Sequence, residues 1–181
     1  MKTLGLLGGM SWESTVTYYQ AINRHVRSVQ GGLHSAPCII YSFDFARIEA
    51  LQHAGQWQEV RQLLEDAAAA LQRGGADAVV LCTNTMHFVS DGLEAAASSG
   101  LPLLHIADPT AERIVAAGYR TVGLLGTRFT MEKDFYKARL ADRFGLRVVT
   151  PDEAGRCGLP VFDTTHIHAV AAADWAMKDA D

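Results

Sequence analysis

The sequence predicts an α/β protein: a parallel-sheet, Rossmann-like first domain followed by a truncated second α/β domain related to it by pseudo-two-fold duplication. Three observations carry that expectation. Short β-type runs alternate with helical ones, the β-type runs are apolar at successive positions rather than every second one, and one strand-turn-helix stretch recurs later in the chain. Alternation implies parallel βα units, and strands apolar on both sides are those that helices cover on each face of a sheet.

In order, "KTLGLLG" reads as a strand and "STVTYYQAINRHV" as the helix after it. "APCIIYSFDF" is the second strand, followed by the helix "EVRQLLEDAAAALQR", which Gly74 and Gly75 close. "DAVVLC" is the third strand, with a short helix through "LEAAASS". After "LPLLHIAD" come the helix "PTAERIVAAG", the strand "TVGLLG", a helix through "MEKDFYKARLADRF" and the strand "LRVVT". The tail "LPVFDTTHIHAVAAADWAM" predicts a last short strand and a helix.

The recurrence supports two related halves. "TLGLLGGMSWESTVTYY" and "TVGLLGTRFTMEKDFY" align at an offset of 118, which pairs Thr3 with Thr121, Gly5 with Gly123, Gly8 with Gly126 and Tyr18 with Tyr136.

With 181 residues, 49% hydrophobic and 20% charged, the chain has material for one good core or two small ones. Its formal charge of -4 is scattered, which points away from nucleic acid and membrane and toward a small-molecule partner. Three cysteines, Cys38, Cys82 and Cys157, have no CxxC spacing, so a reducing compartment is expected. The start "MKTLGLLGGM" is too short and too Gly-broken for a signal peptide, and the expected location is the cytoplasm.

Two stretches carry chemistry. "GLLGGMSWEST" is a Gly-rich turn whose backbone N–H groups could hold a carboxylate or phosphate, or whose glycines could serve sterics alone; it is not the GxGxxG dinucleotide pattern. Cys82 ends an apolar strand, and in open α/β sheets ligands collect at the carboxyl ends of strands. A buried cysteine can equally be a small hydrophobe. In "CTNT", however, Thr83, Asn84 and Thr85 supply hydroxyls, an amide and N–H groups able to bind a substrate carboxylate and to favour the thiolate. Cys38, inside an apolar strand, reads as packing and Cys157 as an incidental loop residue. The pair His166 and His168 lacks further ligands at metal spacing, so surface or core histidines are expected and no metal site. No GxSxG elbow is present. A thiolate can act as a general base on a carbon acid while a second thiol delivers a proton to the opposite face, and two facing halves would supply such a pair.

"GLLGGMSWEST", "LCTNTMH", "LLGTRFTMEKDFY" and "LPVFDTTHIHA" resemble the aspartate/glutamate racemase family, the amino-acid racemases that work without pyridoxal phosphate. The resemblance covers nearly the whole chain. It implies two α/β domains about a pseudo-two-fold axis, an active site between them, no cofactor, and one cysteine from each domain acting on the substrate α-carbon. Carried over, it makes Cys82 one proton-transfer thiol and assigns substrate contact to Met10, Gln52, Thr83, Asn84, Thr85 and Thr127.

One departure stands out. The family's second cysteine ends a strand well before the "PVFDT" segment, whereas this sequence passes from "VVTPDEA" to "GRCGLPVFDTT"; the repeat offset, carried from Cys82, falls beyond Asp181. Roughly fifty residues with the second thiol are missing by comparison with a full two-domain layout. The expected division is a first domain of residues 1–106 plus 159–181 and a truncated second domain of residues 107–158. So short a second domain exposes apolar surface, and a homodimer is expected to cover it. The expected function is a racemase of acidic amino acids whose activity the missing cysteine impairs. The alternative is a non-catalytic amino-acid-binding or regulatory protein derived from one, and a nucleotide-dependent Rossmann enzyme is a weaker third.

Overall fold

The computed structural model of the chain describes residues 1–95, 100–150 and 161–178. Its first sheet is parallel and four-stranded in the order β2-β1-β3-β4, with β1 at Leu4–Gly8, β2 at Cys38–Ser42, β3 at Ala78–Leu81 and β4 at Leu103–Leu104. In the register, Leu6 lies opposite Val80 and Leu7 opposite Leu81. Because side chains alternate between faces, Leu4, Leu6, Val80 and Cys82 enter one core while Leu7, Val79 and Leu81 enter another.

Two helices cover the Leu6 face. Helix α1 (Trp12–Gln30) buries Tyr18, Ile22 and Val26, four residues apart along one stripe. The tail helix, α8 (Thr164–Met177), returns to this core with Ala169, Ala172, Ala173 and Ala176, small residues that admit close approach to α1. The Leu7 face is covered by α3 (Trp57–Arg73), through Val60, Leu64, Ala67, Ala68 and Leu71, and by Ile48 of α2 (Phe45–His53). The second strand, expected to run through Phe45, ends at Ser42, and α2, which the sequence pattern does not announce, begins at Phe45. The carboxylate of Asp44 accepts from the Ala46 N–H at 3.2 Å, which caps a new helix just where the strand was expected to continue.

After β3 a 3-10 turn, Thr85–Val89, leads into α4 (Asp91–Ala95), and α5 (Ala107–Ala116) follows β4. Strands β5 (Thr121–Gly123) and β6 (Arg147–Val149) pair in parallel as a separate two-stranded sheet. The single helix expected between them is two, α6 (Arg128–Glu132) and α7 (Asp134–Phe144), broken at Lys133, whose backbone is extended. Ile106, Ala111, Ile114, Leu124, Tyr136, Leu140 and Leu146 form the core of this part. Of the last expected strand, residues 161–163 are irregular: Asp163 caps α8 by accepting from the His166 N–H at 3.1 Å. The rest of that stretch, with Cys157, lies outside the described residues. Among the described residues no helix is long and apolar enough to cross a membrane.

Candidate active site

The strand ends of β1 and β3 lie side by side, and the chain turns away from both within a residue or two. At β1 the turn is Gly8, Gly9 and Met10. A Cβ on Gly8 would collide with the Thr15 side chain, and Gly9, at φ +83°, has the Phe43 backbone against it. The Gly9 N–H donates to the Thr15 hydroxyl at 2.9 Å, and that hydroxyl donates to the Ser11 carbonyl at 3.1 Å. Here the glycines serve close approach, and the Gly9 donor is engaged by the protein. Met10 is buried with Leu7, Ile48 and Met86, whereas Gln52 is half-buried near the end of α2.

At β3 the Cys82 N–H donates to the Leu7 carbonyl at 2.9 Å, extending the register by one residue. The side chain therefore points as Val80 does, into the α1 and α8 layer, and is 0% exposed. Its sulfur lies 3.7 Å from the Val80 carbonyl oxygen. Burial, and secondarily the nearby Cys38, push the thiol far above its ordinary pKa. The expectation that the polar "CTNT" groups favour the thiolate is corrected: strand parity sends the sulfur into an apolar layer, away from those groups.

Two of the three residues after Cys82 meet distant parts of the chain. The Thr85 hydroxyl is 3.1 Å from that of Thr127, in the turn after β5, and Thr127 is in turn 3.1 Å from the Thr130 hydroxyl. The Asn84 amide donates to the Thr164 hydroxyl at the start of α8 at 3.2 Å. Thr83 is half-buried, its N–H donating to the Leu81 carbonyl at 2.9 Å. The structure thus brings Thr85 and Thr127 together directly, while Met10 belongs to the core on the opposite face of the sheet from Cys82.

The profile of the Asp/Glu/hydantoin racemase family matches residues 7–179. This chain belongs to that family. Over 139 residues it is 26% identical to the broad specificity amino-acid racemase RacX of Bacillus subtilis (strain 168), a match covering 74% of this chain and 58% of RacX. Among solved structures, a candidate Asp/Glu racemase from Yersinia pestis is 44% identical with a TM-score of 0.91, matching 98% of this chain and 100% of that one. An aspartate racemase homologue from Pyrococcus horikoshii OT3 is 37% identical with a TM-score of 0.74, over 84% of this chain and 66% of that one. Picrophilus torridus aspartate racemase, 18% identical with a TM-score of 0.60 over 98% and 73% of the two chains, shares the fold. The chain thus spans little more than half the length of RacX but the full extent of the Yersinia pestis structure.

Around this candidate site lie three histidines that the sequence reading leaves outside it. His87, His105 and His168 are all buried, with the His87 ring 4.4 Å from His105 and 6.2 Å from His168. The His168 Nε2–H donates to the Leu104 carbonyl at 2.7 Å, and its Nδ1 accepts from the Tyr18 hydroxyl at 2.8 Å. Burial lowers His87 well below the ordinary imidazole pKa, with His105 and His168 adding repulsion; it takes His105 to about 2 and His168 to about 4. His166, two residues earlier, is exposed, so the pair is one surface and one core histidine. His87 lies four residues after Thr83 in "LCTNTMH", the spacing at which a turn lets a ring reach back to a carbonyl.

A second tie joins the two parts of the chain. Arg139 of α7 makes a two-pronged contact to Asp108 at 2.6 and 2.8 Å and reaches both Glu94 oxygens at 2.9 and 3.0 Å. Among the described residues no group of three His, Cys, Asp or Glu is placed to hold a metal ion. An open groove of about 330 Å³ between α1 and α8, lined by Thr17, Gln20, Arg24, His25, Ser28 and His166 among others, includes no residue of the Cys82 loop.

Proposed function

We propose that this chain is a cofactor-independent racemase of acidic amino acids, aspartate or glutamate, in which Cys82 exchanges the α-proton on one face of the substrate. The observation that carries this reading is the placement of Cys82 at the carboxyl end of β3, immediately before a loop that Thr85 ties to the Thr127 turn of the second part. Thr83, Asn84 and Thr85 would take the substrate carboxylate; Met10, Gln52 and Thr127 would line the rest. The thiolate of Cys82 removes the α-proton and leaves a carbanion delocalised into the carboxylate, and the thiol so formed returns a proton. Because Cys82 is sealed as a neutral thiol beneath α1 and α8, catalysis requires that helical cover to part from it and the sulfur to ionise. Among the described residues the other cysteine, Cys38, borders the same core from β2, so no second thiol faces Cys82 across a cleft. Return of the proton from Cys82 then gives exchange with retention, and net inversion is slow unless water, Cys157 or a neighbouring subunit serves the other face. The reading includes a cytoplasmic protein and a homodimer that covers the short second part.

The test is deuterium wash-in at the α-carbon of L- and D-aspartate and L- and D-glutamate. Exchange of one enantiomer faster than racemisation, abolished in Cys82→Ala, is expected; no exchange with Cys82 intact removes the catalytic reading. The burial of the sulfur favours a second reading, an amino-acid-binding protein without turnover. Calorimetric binding that survives Cys82→Ala, with neither form active, would establish it.

A further inference from the structure

The two carbonyls that follow Cys82 both end on His87. Its backbone N–H donates to the Asn84 oxygen at 3.2 Å and its ring Nδ1–H to the Thr83 oxygen at 2.8 Å. Nε2 accepts from the Ile106 N–H at 3.3 Å. A peptide N–H can only donate and a carbonyl can only accept, so these bonds set one tautomer, with hydrogen on Nδ1 and a lone pair on Nε2. The His87 carbonyl closes the other end of the turn by accepting from the Ser90 N–H at 3.3 Å and the Ser90 hydroxyl at 3.0 Å. One buried residue therefore links the end of β3, the 3-10 turn and the segment entering α5.

We propose that His87 is a positioning residue for the amino-acid site. It draws the Thr83 and Asn84 carbonyls inward, which leaves the Asn84 and Thr85 side chains turned toward the Thr164 and Thr127 hydroxyls they bond, the cluster that a substrate carboxylate would have to join. An unheld loop would have to be ordered at the moment of binding, and the ligand's affinity would fall by that cost. The substrate part of this inference rests on the racemase reading; the hold on the loop does not.

The experiment compares wild type with His87→Leu, which keeps bulk but loses both ring bonds, and with His87→Asn, whose amide can still donate to the Thr83 carbonyl. Aspartate and glutamate binding by calorimetry, α-proton exchange, and amide hydrogen exchange at Thr83 and His87 are measured on the full chain. Leu is expected to weaken binding about tenfold and to speed exchange of the loop amides selectively over those of Leu6 and Val80, and Asn to recover most of both. A folded His87→Leu chain that binds as wild type does and keeps its loop amides protected overturns the proposal. Should His87→Leu fail to fold, the Asn variant decides: tenfold loss of binding despite a protected loop also overturns it. If wild type neither binds nor exchanges an amino acid, the racemase reading fails, and the loop amides alone decide whether His87 holds the turn.

Discussion

The hydroxyls of Thr85 and Thr127 lie 3.1 Å apart, one in the turn after β3 and the other in the turn after β5. Thr127 belongs to the recurring strand-turn-helix stretch that begins at Thr121, so the second copy of that stretch presses its turn onto the loop that follows Cys82. Thr127 also caps α6, its hydroxyl accepting from the Thr130 N–H at 3.3 Å. Thr85 has no such second role, and is buried where Thr127 is exposed.

That asymmetry makes the pair separable. Thr127→Ala loses a helix cap and the link to Thr85, and is expected to cost about 1–2 kcal/mol of unfolding free energy. Thr85→Val keeps its volume and loses the link alone, about 1 kcal/mol. Urea unfolding of both variants and the double variant gives the coupling, expected at roughly 0.5–1 kcal/mol. Strictly additive costs would mean that the 3.1 Å contact contributes nothing to holding the two turns together.

How much of this was readable beforehand follows from particular residues. The parallel sheet was, because β1 and β3 are apolar at every position, and the repeat located the turn that meets the Cys82 loop. The burial of Cys82 was also available in principle: it is two residues from Val80, and a period of two puts both on one face. A strand apolar on both sides hides that parity, because both faces read alike. Which face α1 and α8 would cover is a tertiary fact, supplied by the return of the tail helix to the first core. Helix α2 was hidden because only Ile48 of its nine residues is buried, too little apolar pattern to announce a helix. His87 was hidden because its partners are backbone atoms, one of them, Ile106, 19 residues away.

The sealed thiol has a direct chemical consequence. Cys38, half-buried in β2, is pushed up to about 11 by burial, and Cys82 further still, so neither supplies much thiolate at neutral pH. With a maleimide at pH 7.5 and the labelled sites mapped by mass spectrometry, Cys82 is expected to react at least about 100-fold more slowly in the native chain than in urea. A raised pKa means that the folded state keeps the proton the unfolded state releases. This contribution to stability is present below the ordinary thiol value of 9.0 and is lost as pH rises above it. Cys82→Ala should therefore lose less stability than wild type between pH 9 and 10.5. Rapid native labelling of Cys82 would contradict its placement beneath α1 and α8.

The histidines act at the opposite end of the pH scale. His87, His105 and His168 are neutral in the folded state because burial opposes their charge, and Arg139 and Arg143 add further repulsion at His105, while Asp108 and the Leu104 carbonyl act on His168 in the other direction. The geometry agrees: protonated His168 could no longer accept from Tyr18, nor protonated His87 from Ile106. All three lie below the ordinary value of 6.5, so the unfolded chain takes up protons first as pH falls. Stability from this source is complete above pH 6.5 and declines below it, the His168 share being spent by about pH 4 and that of His105 still falling toward pH 2. For His168 alone the loss is on the order of 3 kcal/mol. Urea midpoints measured from pH 7.5 to 4.5 should fall steadily in wild type. His168→Gln should start about 2 kcal/mol lower at neutral pH, having lost the Tyr18 and Leu104 bonds, and fall less steeply. A wild-type midpoint that stays flat from pH 6.5 to 4.5 would show that these rings are not held neutral, and the arrangement around His87 would have to be different in solution.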